Sequence, residues 1–205
     1  MSQPLIDLAL LPAARVEQAA CLLARAFQDD PLMGYLLPRA TRRVSVLPAF
    51  FRVVLRYCLR YGVVYTTETL AGVACCLPPH QTRISRGRVM RIALGGTLWL
   101  PGPFELLRSL QAASSTDQLH ARVAPAAHWY LWVLGVEPQQ QGRGTGGQLL
   151  RRVIQQADVR TVPCYLETEN PRNVPFYQTY GFRLVRQVTL PQSAVHIYAL
   201  LREAG

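Results

Sequence analysis

The segment of the chain best suited to chemistry is rich in glycine and joins a predicted strand to a predicted helix. It reads Gln141-Gly142-Arg143-Gly144-Thr145-Gly146-Gly147. Glycines leave room for a ligand to approach the backbone, and the start of a helix presents unpaired N–H groups and the positive end of the helix dipole. Together with the charge of Arg143, this pattern predicts a site for the phosphate groups of a ligand.

One phosphate ligand that fits these glycines is a dinucleotide. Gly142, Gly144 and Gly147 match the dinucleotide fingerprint G-x-G-x-x-G, and Glu167 supplies the acid that this fingerprint requires about twenty residues later. Against a dinucleotide, residues 137–141 separate the strand from the glycines, and only 58 of the 205 residues follow Gly147, too few for a doubly wound sheet. A dinucleotide-dependent oxidoreductase is therefore the less favoured alternative.

A second motif follows the glycine-rich one. Asn170 stands seven residues before the segment Tyr177-Gln178-Thr179-Tyr180-Gly181-Phe182. Taken together and in this order, the two motifs resemble those of the GNAT superfamily of N-acetyltransferases, in its bacterial, acetyl-CoA-dependent form. The family signatures are Q/R-x-x-G-x-G/A, matched from Gln141 to Gly146, and an asparagine seven residues before Y-x-x-x-G-F. The resemblance covers residues 129–187.

The resemblance implies acetyl-CoA as the cosubstrate and assigns residues to it. Backbone groups at the end of the strand before the glycines would pair with the pantetheine arm, and the glycine-rich loop would hold the pyrophosphate. An asparagine would hydrogen-bond the arm, with Asn170 as the first candidate and Asn173 as the second. The residues assigned to the cofactor are Leu134, Gly135, Val136, Gln141, Gly142, Arg143, Gly144, Thr145, Gly146, Gly147, Asn170, Asn173 and Tyr177.

Acetyl transfer to an amine makes two demands on nearby side chains. An amine like that of lysine, with a pKa of about 10.4, must lose a proton, and the leaving thiolate needs a proton or a hydrogen bond. The resemblance places Tyr177 beside the sulfur as the acid. Glu167, on the strand next to the cofactor strand, is the predicted base, with Glu137, Glu169 or a water chain as alternatives. The predicted reaction is direct transfer to a primary amine, and a catalytically silent acyl-CoA-binding regulatory module is the alternative.

The basic residues outnumber the acidic ones without forming a concentrated patch. The formal net charge is +10 and all 22 basic residues are arginine. The nearest approach to a stripe, Arg52, Arg56 and Arg60, fits a solvated helix face. No aromatic-basic RNA-binding motif is present, so no nucleic-acid partner is expected. The expected partners are acetyl-CoA and a small-molecule or peptide amine, while the identity of the acceptor and the choice between monomer and homodimer stay open.

Cysteine and histidine usage indicates neither disulfides nor a metal site. The five cysteines are odd in number and include no C-x-x-C pair, which, without a signal peptide, indicates reduced thiols and a cytoplasmic location. No metal-ligand spacing links the four histidines, so no metal cofactor is expected. The most apolar stretch, from Ile92 to Leu107, is interrupted by glycine and proline and is too short to cross a bilayer, so no membrane association is expected.

The order of the predicted elements indicates one domain of the α/β (α+β) class. Helices are followed by a hairpin, an insertion and a strand–helix–strand–helix–strand–strand core, which gives a mixed sheet flanked by helices. The resemblance makes this a GNAT fold, with a mostly antiparallel sheet of about six to seven strands and splayed central strands. The segments of the single domain 1–205 are an N-terminal strand and helices (1–61), a β-hairpin (62–79), a helical insertion (80–127) and the acetyl-CoA-binding core (128–205).

Overall fold

The structure is a computed structural model that describes residues 8–95 and 102–205. The polar start of the chain and the middle of the stretch from Ile92 to Leu107, both interpreted above, lie outside the described residues. No helix within the described residues is long and apolar enough to cross a membrane. The helices are α1 (Val16–Ala26), α2 (Pro31–Leu36), α3 (Ala40–Tyr61), α4 (Arg86–Leu94), α5 (Pro103–Val123), α6 (Thr145–Val159) and α7 (Asn173–Gln178). The strands are β1 (Leu8–Leu10), β2 (Val63–Thr67), β3 (Gly72–Leu77), β4 (Trp129–Val136), β5 (Cys164–Thr168), β6 (Arg183–Thr189) and β7 (His196–Arg202).

The strands form a single seven-stranded sheet in the order β1-β2-β3-β4-β5-β7-β6. β4 and β5 are parallel, whereas the other neighbouring strands pair antiparallel. The predicted mixed and mostly antiparallel sheet is therefore confirmed. A dinucleotide fold needs an open, mostly parallel sheet, so this topology does not support a dinucleotide-dependent oxidoreductase.

The central strands β4 and β5 separate after three paired residues. Their register ends at Leu131 and Leu166, although β4 continues for five more residues. On its other side β4 contains a bulge, because Cys75 pairs with Val133 and Cys76 pairs with Leu131, which leaves Trp132 as an extra residue. A bulge bends its strand and increases the local twist. The splayed central strands expected from the resemblance are thus present, and they open a cleft in the sheet.

Helices cover both faces of the sheet. On one face, α1 and α3 bury Leu23 and Leu55 completely, and α5 from the insertion packs beside them. On the other face, α6 buries Leu149 and Leu150. Helix α1 approaches β4 closely because position 135 is glycine, where a Cβ atom would lie 2.5 Å from Leu23 Cδ2. The two layers hold β4 in place on either side of the cleft.

The residues Asp30 and Pro31 predict a cap and a first helical position, and helix α2 begins with both. The Asp30 carboxylate accepts hydrogen bonds from the backbone N–H groups of Leu32 (2.9 Å) and Met33 (3.3 Å). Pro31 occupies the first helical position, where its missing N–H costs nothing. These contacts fix the orientation of the Asp30 carboxylate.

Two predicted boundaries near the C-terminus differ from the structure. Residue preferences predict a short helix from Val174 to Tyr180, but α7 ends at Gln178. The sequence ends the following strand at Arg186, but β6 continues to Thr189 because its pairing with β7 continues to the pair formed by Thr189 and His196. Cross-strand pairing, which local residue preferences do not specify, sets the length of β6.

Candidate active site

The glycine-rich loop enters α6 through two glycines in the left-handed region. Gly142 has a φ of 74°, and Gly144, which caps the helix, has a φ of 85°. Residues with a Cβ atom rarely adopt such angles, so both positions require glycine for conformational reasons. The first turn of α6 contains no acidic residue. The positive end of this helix is therefore not neutralised from within and is suited to a phosphate group.

Gly147 has a different reason to be glycine. A Cβ atom at this position would lie 2.0 Å from the hydroxyl oxygen of Tyr180, so the small residue allows α6 to pack against the residues after α7. The place of Gly147 in a phosphate cradle stays a prediction that concerns its backbone N–H. Arg143 in the same loop is exposed and forms no ion pair with any residue that the structure describes. Its charge is available to a ligand.

The end of β4 offers backbone groups to the cleft. Beyond Leu131 the strand has no β5 partner, so the stretch from Leu134 through Gly135 to Val136 is paired with β3 alone. The Gln141 side chain donates a hydrogen bond to the Val136 carbonyl oxygen (3.2 Å), which ties the loop to the strand end. The open edge and the loop are consequently continuous, as a cofactor that spans both would need.

The two asparagines predicted to bind the cofactor arm make different hydrogen bonds within the protein. Asn173 Nδ2 donates a hydrogen bond to Thr168 Oγ1 (3.2 Å) and so fastens the start of α7 to the end of β5. Asn170 Oδ1 accepts a hydrogen bond from the backbone N–H of Arg172 (3.1 Å), and no hydrogen bond from its amide nitrogen to a described residue is present. Asn170 therefore has donor capacity left for a ligand, which agrees with the preference for Asn170 over Asn173.

Glu137, one of the alternative bases, is committed to an ion pair. Its two carboxylate oxygens accept hydrogen bonds from Arg25 Nε and Nη2 at 2.8 and 2.6 Å. This paired arginine holds the pKa of Glu137 below its ordinary value, although partial burial opposes the shift. A carboxylate with a lowered pKa is a poor proton acceptor, so the structure disfavours Glu137 as the base.

Glu167 lies directly at the point where the sheet opens. It follows Leu166, the last β5 residue paired with β4. Its side chain is only 4% exposed, and neither carboxylate oxygen has a hydrogen-bond partner among the described residues. His120 Nδ1 lies 3.4 Å from Glu167 Oε1, and the phenols of Tyr130 and Tyr165 also interact with this carboxylate. Since neither oxygen accepts a well-formed hydrogen bond, the carboxylate has acceptor capacity left for a proton or a cationic ligand.

Four aromatic rings surround this carboxylate. The His120 ring lies 4.7 Å from Tyr130 and 4.9 Å from both Tyr165 and His128, measured between centroids. Burial, followed by the charge of Glu167, raises the pKa of Tyr130 and of Tyr165 well above the ordinary value. Both phenols therefore keep their protons at neutral pH. The carboxylate faces a protonated, largely dry environment.

Glu169, Asp30 and Tyr177 complete the cleft. Burial, followed by the nearby charges of Asp30 and Glu167, raises the pKa of Glu169 to about 8. Burial also raises the pKa of Asp30. The pKa of Tyr177 is raised first by burial and then by Glu169, so its phenol stays protonated. Tyr177 packs on the α6 side of the sheet and Glu167 on the α5 side, with Glu169 acting electrostatically on both.

The three acids at the cleft have no arginine partner among the described residues. Asp30, Glu167 and Glu169 form no ion pair with an arginine, and neither does the exposed Glu68. The acids within ion-pair distance of an arginine are Glu17, Asp29, Glu105, Asp117, Glu137, Asp158 and Glu203. In a chain of net charge +10, uncompensated negative charge is concentrated at the cleft.

Sequence reasoning missed two contributors to this site. His120 lies near the end of a predicted insertion helix, and nothing in its spacing relates it to Glu167. Asp30 is recognised from the sequence only as a helix cap. Within the described residues no group of three or more His, Cys, Asp and Glu side chains could hold a metal ion.

Comparison with known proteins agrees with this geometry. Residues 112–184 match the family model described as Acetyltransferase (GNAT) domain. An uncharacterized N-acetyltransferase of Schizosaccharomyces pombe is 24% identical over 94% of this chain and 83% of its own. The N-alpha-acetyltransferase RimI of Mycobacterium tuberculosis is 30% identical over 40% of this chain and 52% of its own. A crystal structure described as histone acetyltransferase HPA2 and related acetyltransferase, from Corynebacterium glutamicum, matches with a TM-score of 0.67 at 16% identity, covering 98% of this chain and 97% of that one.

The sheet that opens between β4 and β5, together with the glycine-rich start of α6, defines the class as an acetyltransferase fold, which implies acetyl-CoA as the cosubstrate. More particularly, residues 112–184 match a GNAT acetyltransferase domain, and together with the N-acetyltransferase relatives this match supports N-acetyltransferase activity.

Proposed function

We propose that the protein transfers an acetyl group from acetyl-CoA directly to a primary amine. The observation that carries this proposal is the opening of the sheet directly at Glu167, whose buried carboxylate has no hydrogen-bond partner among the described residues. Keeping a buried carboxylate without a partner costs free energy. An ammonium group that enters the cleft would supply the missing partner.

The cofactor would lie along the edge of β4 that β5 leaves open. Backbone groups from Leu134 to Val136 would pair with the pantetheine arm in the manner of an added strand. Backbone N–H groups of residues 141–147 and the Arg143 guanidinium would hold the pyrophosphate at the start of α6. Asn170 would hydrogen-bond the arm. The open strand edge and the absence of an acid in the first turn of α6 support this placement.

The reaction needs a base for the amine and an acid for the departing sulfur. Glu167 would take the proton that the ammonium group must lose, because its carboxylate is unpartnered at the mouth of the cleft. Tyr177 would give a proton or a hydrogen bond to the thiolate, and its raised pKa keeps the phenol protonated until the sulfur departs. Glu169, with a pKa of about 8, is the second candidate for the base. Bringing the two substrates together in one cleft allows transfer without a covalent enzyme intermediate.

The acceptor would be a cationic amine. Asp30 and Glu167 give the cleft a negative character that attracts an ammonium group and disfavours an anionic acceptor. Both small amines and peptide amines fit this charge. The likeness to RimI, whose name describes acetylation at an alpha-amine, supports including peptides with a free N-terminus among the acceptors tested.

The test is a thiol-release assay with acetyl-CoA and a panel of cationic small amines and free N-terminal peptides. We expect thiol release with at least one amine and intersecting lines when both substrates are varied. Glu167→Gln should lower kcat/KM roughly 10²-fold or more while leaving the Kd of acetyl-CoA unchanged in calorimetry. Acetyl-CoA binding without thiol release across the panel would instead indicate a silent acyl-CoA-binding module. Parallel lines would contradict direct transfer.

A further inference from the structure

A chain of contacts runs from a backbone carbonyl through two histidines to the carboxylate at the cleft. His128 Nδ1 lies 2.6 Å from the Pro125 carbonyl oxygen, just before β4 begins. His128 Nε2 lies 3.0 Å from Nε2 of His120, which α5 contributes. His120 Nδ1 lies 3.4 Å from Glu167 Oε1. The four groups come from three separate parts of the chain and meet behind the opening between β4 and β5.

The first contact determines which nitrogen of each ring carries hydrogen. A carbonyl oxygen can only accept, so His128 Nδ1 must be the donor. Burial lowers the pKa of His128 and favours its neutral form, which leaves His128 Nε2 without a hydrogen. That atom therefore accepts, and His120 Nε2 must carry the hydrogen of their contact. By elimination, His120 Nδ1 is the ring nitrogen that gains or loses a proton, and it faces Glu167.

We propose that His120 and Glu167 act as one proton-accepting unit for the acceptor amine, with His128 and the Pro125 carbonyl fixing the tautomer of His120. This inference rests on the proposed function. A bare ring nitrogen and a carboxylate that face each other at 3.4 Å repel, and a proton between them replaces that repulsion with attraction. A proton shared by the two groups therefore relieves an unfavourable contact that the empty site contains.

The proton balance is simple. The N–H bond of the ammonium group breaks, its electron pair stays on the amine nitrogen, and the proton is held between Glu167 Oε1 and His120 Nδ1. The ammonium group becomes a neutral amine, and the unit changes from a net charge of −1 to 0. His120 is the member through which the proton returns to solvent, because its side chain is 13% exposed, whereas His128 as a whole is 2% exposed.

The neighbouring groups do not compete for this proton. The titratable side chains that face the unit are His128 from the segment before β4, Tyr130 from β4, and Tyr165 and Glu169 from β5 and its end. His128 has its free nitrogen occupied by His120. The raised pKa of each phenol means that both tyrosines are already protonated. Glu169, with its pKa of about 8, is also largely protonated at neutral pH.

The direct test is histidine NMR of the full-length protein labelled with ¹⁵N, which needs neither substrate nor activity. We expect His128 as the Nδ1–H tautomer and neutral His120 as the Nε2–H tautomer. In Glu167→Gln the Nδ1 resonance of His120 should change, whereas both nitrogen resonances of His196 should stay, because the carboxylate that faces His120 Nδ1 is gone. The opposite tautomer at His120, or an unchanged Nδ1 resonance, would overturn the proposal even if no acceptor amine had been found.

The kinetic test uses the best amine from the thiol-release panel. His120→Gln should lower kcat/KM for that amine at least tenfold and change the acid limb of its pH profile, with the Kd of acetyl-CoA unchanged. The matched control is His196→Gln, which alters a histidine that bonds Thr189 on β6, and it should keep the wild-type profile. A wild-type profile in folded His120→Gln would refute the role of His120. If that variant does not fold, the NMR comparison decides alone.

Discussion

Tyr177 is the residue for which the structure separates a chemical role from a packing role. Its ring contacts those of Phe176 and Phe182, with centroids 5.2 and 5.9 Å away, so Tyr177→Phe should keep the packing and remove only the hydroxyl. We expect kcat to fall at least tenfold while the Kd of acetyl-CoA, measured by calorimetry, changes less than twofold. The loss follows from a thiolate that departs without a proton donor.

Tyr180 offers the matched control for that experiment. Its hydroxyl accepts a hydrogen bond from Arg151 Nη1 (3.4 Å) and lies close to Gly147 on α6. Tyr180→Phe removes the same atom from a neighbouring phenol and should leave kcat near the wild-type value. Equal losses in the two variants, or none in Tyr177→Phe, would remove Tyr177 from the acid role.

At the scale of elements, variants at the start of α6 test the proposed binding of the acetyl-CoA pyrophosphate. Gly144 caps this helix with a φ of 85°, an angle that asparagine and aspartate tolerate better than most residues. Gly144→Asp and Gly144→Asn therefore introduce side chains of similar shape that differ in charge. We expect the aspartate variant to bind acetyl-CoA at least tenfold more weakly than the asparagine variant, because its carboxylate opposes the pyrophosphate.

Salt dependence identifies the origin of that difference. Raising the ionic strength screens charges. The difference in acetyl-CoA affinity between the two variants should therefore decrease in calorimetric titrations at high salt. Equal affinities in both folded variants at low salt would place the pyrophosphate somewhere other than at the start of α6.

The elements themselves were largely predictable from sequence, whereas the contacts among them were not. The strand Cys164–Thr168 and the helices around Asp30 follow from local preferences for buried strands and for capping residues. Phosphate binding by the segment from Gln141 to Gly147 follows from its glycines and the helix start, whereas the role of Tyr177 comes from a motif that the resemblance supplies. The contact of His120 with Glu167 depends on how α5 packs against the sheet, and no local pattern encodes that geometry.

At the scale of the whole molecule, acids paired with arginines are separated from the acids at the cleft, which have no arginine partner among the described residues. Most acids of the described residues pair with arginines on the surface, and such exposed pairs contribute little to stability individually. What they achieve collectively is to neutralise most acids except those at the cleft. In the proposed function, Arg143 and the start of α6 would face the phosphates of the cofactor, whereas Asp30 and Glu167 would face the amine. Charge would then direct the two substrates to different sides of the opening between β4 and β5.

The raised pKa of Glu169 at the cleft should also make the free energy of unfolding depend on pH. Glu169 has a pKa of about 8 in the folded protein against an ordinary value of 4.5. Between these values the folded chain holds a proton that the unfolded chain has released, so the free energy of unfolding falls as the pH rises through this window. Glu169→Gln is neutral throughout and lacks this loss.

We therefore expect urea denaturation to show Glu169→Gln gaining stability relative to the wild type as the pH increases from 5 to 9. Each unit of raised pKa corresponds to about 1.4 kcal/mol, so the relative gain should be on the order of a few kcal/mol. Glu68→Gln, which changes an exposed glutamate in the turn between β2 and β3, is the control and should follow the wild-type curve in parallel. If the Glu169→Gln curve is parallel as well, Glu169 is ionised in the folded protein and the cleft tolerates all three negative charges at neutral pH.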